Sequence, residues 1–413
     1  MQSTEFPKST NSNIIGGKTI EQALADLSDM TIGSTATQEN EYKTRIGKAQ
    51  AYMTEHNIAV IYLNAGTNLT YFTGLRWYPS ERLVGAVLPA QGELIYIAPF
   101  FEIDTLNDYM VIPGEIKGWQ EHENPYALFC QVIAELTSDS VPRVGMDEST
   151  AFFIVDGIQK QQTDIQLING SEVTAHCRMH KSKAEIALIQ GAMNMTLQVH
   201  KAAASILKEG ISTTEVETFI HQAHKKVGAA DGSYFCIVLF GKATSFPHGV
   251  KEPQFLKKND MVLIDTGCQL HGYISDITRS YVFGTATEQQ MAIWNSEKRA
   301  QQAAFDAAKI GYPCGDVDLA ARKSLQDDGL GPDYTLPGLP HRTGHGIGMD
   351  IHEWPYLVKD NPMPLAEGMC FSNEPMIVVP DEFGVRLEDH FYMTDKGAAW
   401  FTLPSKSIYE PFA

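Results

Sequence analysis

The 413-residue chain has little cysteine, and what it has is dispersed. Cys130, Cys177, Cys236, Cys268, Cys314 and Cys370 form no C-x-x-C pair, and the nearest two, Cys236 and Cys268, stand 32 residues apart. That excludes a disulfide framework and a zinc knuckle, and it fits reduced, buried thiols. No uncharged apolar run reaches the roughly 18 residues that a membrane-spanning helix needs. The opening stretch, MQSTEFPKSTNSNIIGGKTIEQ, has no basic patch followed by an apolar segment, so a cytoplasmic location is expected. Basic residues are scarce: 32 Lys+Arg against 50 Asp+Glu leave a formal charge of −18. So acidic a surface repels phosphate backbones and anionic lipid, so neither nucleic acid nor membrane is expected as a partner. Several catalytic signatures are missing too. There is no G-x-S-x-G elbow, Gly344, Gly346 and Gly348 do not make a dinucleotide loop, and His352-Glu353 lacks the second histidine of a zinc helix.

The rest is an ordinary globular composition, long enough for two domains. Residues 1–35 are rich in Ser, Thr and Asn and read as an extension with a short helical patch. An amphipathic helix is expected over 39–56, a buried strand over 58–63, and a hairpin from 83–89 and 93–97 about Gln91-Gly92. A strand over 144–147 leads into a helix over 148–161, so residues 36–175 read as a small α/β domain. The basic stretch CRMHKSK marks the boundary to a second domain, 176–413. There a long helix over 184–207 precedes a capping box, Ser212 with Glu215. β-like runs follow at 234–239, 261–267 and 273–283, then helices opening at Thr287 and at 316–326. Helices grouped with hairpins suggest an α+β class.

Two of these stretches concentrate acid in apolar surroundings. In MVLIDTGCQLHGYISDITRSYVFG, a hairpin centred between Leu270 and His271 sets Asp265 opposite Asp276. In FSNEPMIVVPDEFGVRLEDHFYM, a hairpin centred on Asp381 sets Glu374 opposite Glu388, although Pro375 can shift that register. Opposed carboxylates are costly in an apolar setting, and two such pairs call for cations with oxygen ligands between them. A third stretch, HRTGHGIGMDIHE, carries His341, His345 and His352 among glycines that let backbone approach closely. Such an imidazole cluster suits a borderline metal or acid–base work.

The order Asp265, Asp276, His345, Glu374, Glu388 resembles the five-ligand signature of the pita-bread metallopeptidases. The blocks DTG…SDITR, HRTGHGIGMDIHE, NEP and GVRLED are similar to those of the prolidase and aminopeptidase P branch. The resemblance is strong over about 180–405. Over 40–175 it is weaker and implies a creatinase-like N-terminal domain ahead of the pita-bread catalytic domain. It implies a hydrolase of Xaa-Pro peptide bonds, dipeptidase or aminopeptidase, acting on a small peptide with proline at its second position. It also implies two divalent ions, manganese first, with cobalt, zinc or iron as alternatives. By resemblance Asp265, Asp276 and Glu388 hold one ion. Asp276 and Glu388 bridge to the other, which His345 and Glu374 also bind. Glu374 doubles as proton shuttle, His248, His341 and His352 match pocket histidines, and Arg386 matches a pocket-organising arginine. A homodimer is implied as well, with residues 73–78 as a candidate loop reaching a neighbouring subunit. One departure stands out: Met376 replaces a usual glycine. It keeps open other chemistry on the same site, such as dimethylsulfoniopropionate lysis, organophosphate hydrolysis or creatinase-like amidine hydrolysis. A non-enzymatic peptide-binding module on the same fold is a further alternative.

Overall fold

Between Ala36 and Arg178 the strands build one six-stranded sheet, in the computed structural model that describes residues 15–161 and 164–412. Contacts divide the chain into this unit and a second one, which joins the described residues before Ala36 to Met179–Ala413. The six strands lie in the order Glu115–Trp119, Ile95–Pro99, Gly85–Pro89, Val60–Asn64, Arg143–Met146, Gln166–Asn169. Three of the inner strands, Val60–Asn64, Gly85–Pro89 and Ile95–Pro99, are mainly apolar and buried throughout, which is why they are visible as strands in the sequence. The two edge strands are only half-buried and carry no apolar run, so composition does not reveal them. Helix Glu39–Glu55 runs where it is expected.

The second unit begins with chain that is more than an extension. Gly16 and Lys18 donate to the carbonyls of Ala204 and Ser205 at 2.8 and 3.0 Å, and the short helix Ile20–Ala25 buries Ala23 in the core. Like that short helix, three longer ones open on capping boxes in which a hydroxyl and a Glu or Gln side chain satisfy each other's backbone donors. They are Lys183–Ser205 (Ser182, Glu185), Thr213–Lys226 (Ser212, Glu215) and Glu288–Ala307 (Thr287, Gln290). The first two pack on strands Met261–Leu270 and Ser233–Phe240. One sheet places Met261–Leu270 between Ser233–Phe240 and Ile277–Val282. A five-stranded sheet has the order Glu353–Leu357, Gly344–Gly346, Cys370–Asn373, Asp389–Thr394, Gly397–Trp400. A ribbon of Met376–Val379 and Phe383–Arg386 completes the set. Among the described residues no cysteine is paired, and no helix is long and apolar enough to cross a membrane.

The first acidic hairpin departs from its expected register. Asp265 faces Thr278, not Asp276, because the turn is centred on His271-Gly272. Both residues have positive φ, 50° and 94°, the geometry of a two-residue turn that matches strand twist. Histidine is an uncommon residue there, so the turn is easily placed one position early. The slip is two residues in pairing, an even number, so Asp265 and Asp276 still share a face. Asp276 itself sits in a break between Tyr273–Ile274 and Ile277–Val282. That break rests on Gly267: a Cβ there would lie 1.7 Å from the Ser275 carbonyl oxygen.

The second hairpin keeps its expected register throughout. Met376 pairs with Arg386, and Asn373 with Asp389, although these pairs belong to different sheets. At the junction the strands part. The amide of Glu374 turns out to the Thr343 carbonyl at 2.8 Å, and that of Glu388 to the Thr278 carbonyl at 3.1 Å. Two facing carboxylates are thus each tied to a third segment, Glu388 to strand Ile277–Val282 and Glu374 to the residue before strand Gly344–Gly346.

Candidate metal centre

Three segments that are distant in sequence deliver acidic and imidazole groups to one place. Asp276, His345, Glu388 and His390 each offer a ligand atom, and these atoms all lie within 4.8 Å of one another. Glu374 Oε1 is 3.2 Å from His345 Nε2, and Asp276 Oδ2 is 3.7 Å from the same nitrogen. Asp265 is drawn instead to Arg386, whose Nη2 ion-pairs with its Oδ2. Asp265, Asp276, His248, His341, His345, His352, Glu374, Arg386 and Glu388 all line a single cavity of about 910 Å³. Every site residue expected from the sequence is therefore at this cavity. His248 and His352 are exposed at it, whereas His345 and the carboxylates other than Glu374 are buried.

The protein builds the histidine positions from the backbone up. His345 Nδ1 donates to the Gly346 carbonyl at 3.0 Å, which puts the proton on Nδ1 and leaves Nε2 its lone pair. Its backbone amide donates to Ser372 Oγ at 2.8 Å, and Ser372 Oγ donates to Glu374 Oε1 at 3.2 Å. Gly344 has to be glycine, since a Cβ there would lie 2.1 Å from the Ser372 carbonyl oxygen. Beneath the loop, a buried Asp318–Arg322 pair at 2.7 Å holds the Thr343 amide and hydroxyl and the His341 carbonyl. On the acidic side, Arg386 Nε donates to Thr278 Oγ1 at 3.1 Å and Nη1 to the Pro247 carbonyl at 3.2 Å. Its fork is thus engaged with Asp265, Thr278 and Pro247.

The electrostatics are those of carboxylates with too little positive charge among them. Burial and the neighbouring carboxylates push Asp276 and Glu388 well above the usual carboxyl range. Burial also raises Asp265, against the pull of Arg386. Glu374 goes the other way: burial raises it, but the neighbouring His345, His341 and Arg386 outweigh that and hold it low. Burial and the ring of His345 bring His352 down to about 4. Asp265 Oδ1, Asp276 Oδ1 and Glu388 Oε1 are buried with no hydrogen-bond partner. Buried carboxylate oxygens without donors, beside an imidazole with a free lone pair, fit divalent cations.

Thr278, Ser372, Asp318, Arg322 and His390 are not singled out by the sequence. Only His390 had a signal to find: it stands two residues beyond Glu388 on a strand, hence on the same face. Met376, the position that departs from the resemblance, is fully buried in the core and does not line the cavity.

Residues 187–395 match the model of metallopeptidase family M24, and residues 45–180 match that of the Creatinase/Prolidase N-terminal domain. A provisionally named dipeptidase of Bacillus subtilis, YkvY, is 32% identical over 365 residues, 88% of this chain and 99% of that protein. The structure of dipeptidase PepE from Mycobacterium ulcerans superposes with a TM-score of 0.83 at 29% identity, covering 89% of this chain and 97% of that one. A prolidase from Thermococcus sibiricus gives 0.80 at 31%, over 88% and 97%.

Proposed function

The chain belongs to metallopeptidase family M24, with a creatinase-like N-terminal domain and a pita-bread domain, and on that premise we propose that it hydrolyses Xaa-Pro peptide bonds at a pair of divalent cations. The observation that carries this reading is the convergence of Asp276, His345 and Glu388 on the cavity that also holds Asp265 and Glu374. Asp265, Asp276 and Glu388 would hold one cation. Asp276, Glu388, His345 and Glu374 would hold the other, with manganese expected first and cobalt, zinc or iron as alternatives. Bound there, such cations polarise a carbonyl and ready a water molecule for attack at neutral pH.

The residues of the chain supply the rest. Glu374, held ionised, takes the proton of the attacking water at a carboxylate oxygen and passes it to the leaving nitrogen. His248 and His352 face the cavity and steady the oxyanion, and His341 lines the pocket beside them. Arg386 orients Asp265. An Xaa-Pro bond is a tertiary amide whose ring fixes the backbone. Phe235, Ile237, Phe246, Pro247 and Ile351 offer an apolar wall for such a ring. The likeness to a prolidase supports this substrate class, and the likeness to dipeptidases supports a short peptide. The Met376 departure gives little support to lyase, organophosphate or amidine chemistry, because its side chain lies in the core. The assembly expected with this activity is a homodimer.

The test is a length series on metal-loaded protein. Ala-Pro cleaved in preference to Ala-Pro-Ala marks a dipeptidase, and the reverse marks an aminopeptidase. Chelation and Asp276→Ala should each abolish turnover, and Asp276→Ala should also lower bound metal by elemental analysis. Absence of hydrolysis of either peptide, or full activity in the metal-free protein, overturns the reading.

A further inference from the structure

The chain has four fully buried histidines among the described residues, and one of them is unlike the others. His200 Nε2 bonds the Ile277 carbonyl, His224 bonds Thr196 and Ser233, and His345 Nδ1 bonds the Gly346 carbonyl. His390 has 0% exposure, and no hydrogen bond of normal geometry reaches either ring nitrogen. The Asp276 main chain lies close enough to act on the ring. A buried imidazole with no partner gives up the hydrogen bonds it made to water and gains none in return. Such a group calls for an account of what it meets.

Its position supplies that account. His390 follows Glu388 by two residues at the start of strand Asp389–Thr394, so both side chains share the face turned to the site. The intervening Asp389 points the other way, to Arg279, Gln301 and Thr402. His390 Nε2 is 4.0 Å from Glu388 Oε1, and its ring centroid is 6.0 Å from that of His345. One nitrogen of the ring lies within 4.8 Å of the ligand atoms of Asp276, His345 and Glu388. Neither Phe391 nor Asp389 could take its place.

We propose that His390 is an additional donor of the metal centre, a second imidazole beside His345 on the cation that His345 and Glu374 would hold. The proposal rests on the two-cation reading above and adds a consequence to it. A second nitrogen ligand favours zinc, iron or cobalt at that position over manganese. The two positions then differ in kind, one held by oxygens alone and the other by two imidazoles together with carboxylates.

The test uses the full-length protein stripped of metal, as wild type, His390→Leu and Asp276→Asn. Leucine removes the unsatisfied imidazole without adding a polar group, so the apo variant should melt no lower than wild type. Zinc and manganese affinities are read by titration calorimetry. Wild type should bind two ions per chain. In His390→Leu, zinc affinity at one position should fall by about tenfold or more, while manganese affinity changes less. As a measurement that needs no variant, pulsed electron paramagnetic resonance of the copper-substituted wild type should count two imidazoles on one ion. A single imidazole, or an unchanged zinc-to-manganese ratio in a folded His390→Leu, overturns the inference and leaves the two-cation reading intact. Failure of wild type to bind any ion overturns both, and Asp276→Asn, which should lose ions regardless of His390, separates the two cases.

Discussion

Thr278 Oγ1 donates to Glu388 Oε2 at 2.6 Å while accepting from Arg386 Nε at 3.1 Å. One hydroxyl thus links the acidic group that sits deepest in the site to the arginine that holds Asp265. Its removal by Thr278→Val keeps the side-chain shape and strands a carboxylate oxygen. The expected loss is about 1–3 kcal/mol of stability. Metal affinity should fall about 10–100-fold, as for other groups that orient ligands. Calorimetry on the apo and loaded protein measures both.

A buried ion pair backs the same strand from behind. Arg279, with 0% exposure, reaches Asp389 Oδ1 at 2.6 Å and the Glu388 carbonyl at 2.8 Å. Arg279→Met leaves Asp389 charged and uncompensated by any cation in that position, so chemical denaturation should show a loss of about 3–5 kcal/mol.

Gly267 is a steric requirement of the Asp276 bend. Gly267→Ala would force a Cβ into the Ser275 carbonyl. Overpacking of this kind costs about 1–3 kcal/mol, and backbone is the obstructing atom, so the upper end is expected. Bound metal should fall together with the melting temperature, because the displaced segment is the one that carries Asp276.

Acid lability should trace in part to His224. Burial, with His221 nearby, brings its pKa down from 6.5 to about 3. Below about pH 6.5 the unfolded chain takes up a proton that the fold refuses, so this contribution to stability is whole above that pH and is lost as pH falls toward 3. Unfolding free energy measured against pH should therefore slope less steeply over that window in His224→Gln than in wild type.

Much of the site could be read from residues alone because its chemistry is written in residue types: four carboxylates and an imidazole are costly in an apolar chain unless something cationic joins them. The even side-chain period of a strand also helps, since centring the turn on His271-Gly272 gives Asp265 a new partner without moving it to the other face. What could not be read depends on which atom meets which. Arg279, Arg322 and Asp318 look like surface charges in a sequence, and only the packed structure shows them buried beneath the site. Strands Glu115–Trp119 and Gln166–Asn169 are not legible in the sequence because half-buried edges need no apolar run.

The parting of the second hairpin has a dynamic consequence. Because the amides of Glu374 and Glu388 are anchored to Thr343 and Thr278, fraying of the ribbon at its Pro380–Gly384 tip can proceed without spreading to the two carboxylates. The junction works as a hinge stop. Deuterium should enter the tip amides through local opening, while those of residues 374 and 388 wait for the whole unit to unfold.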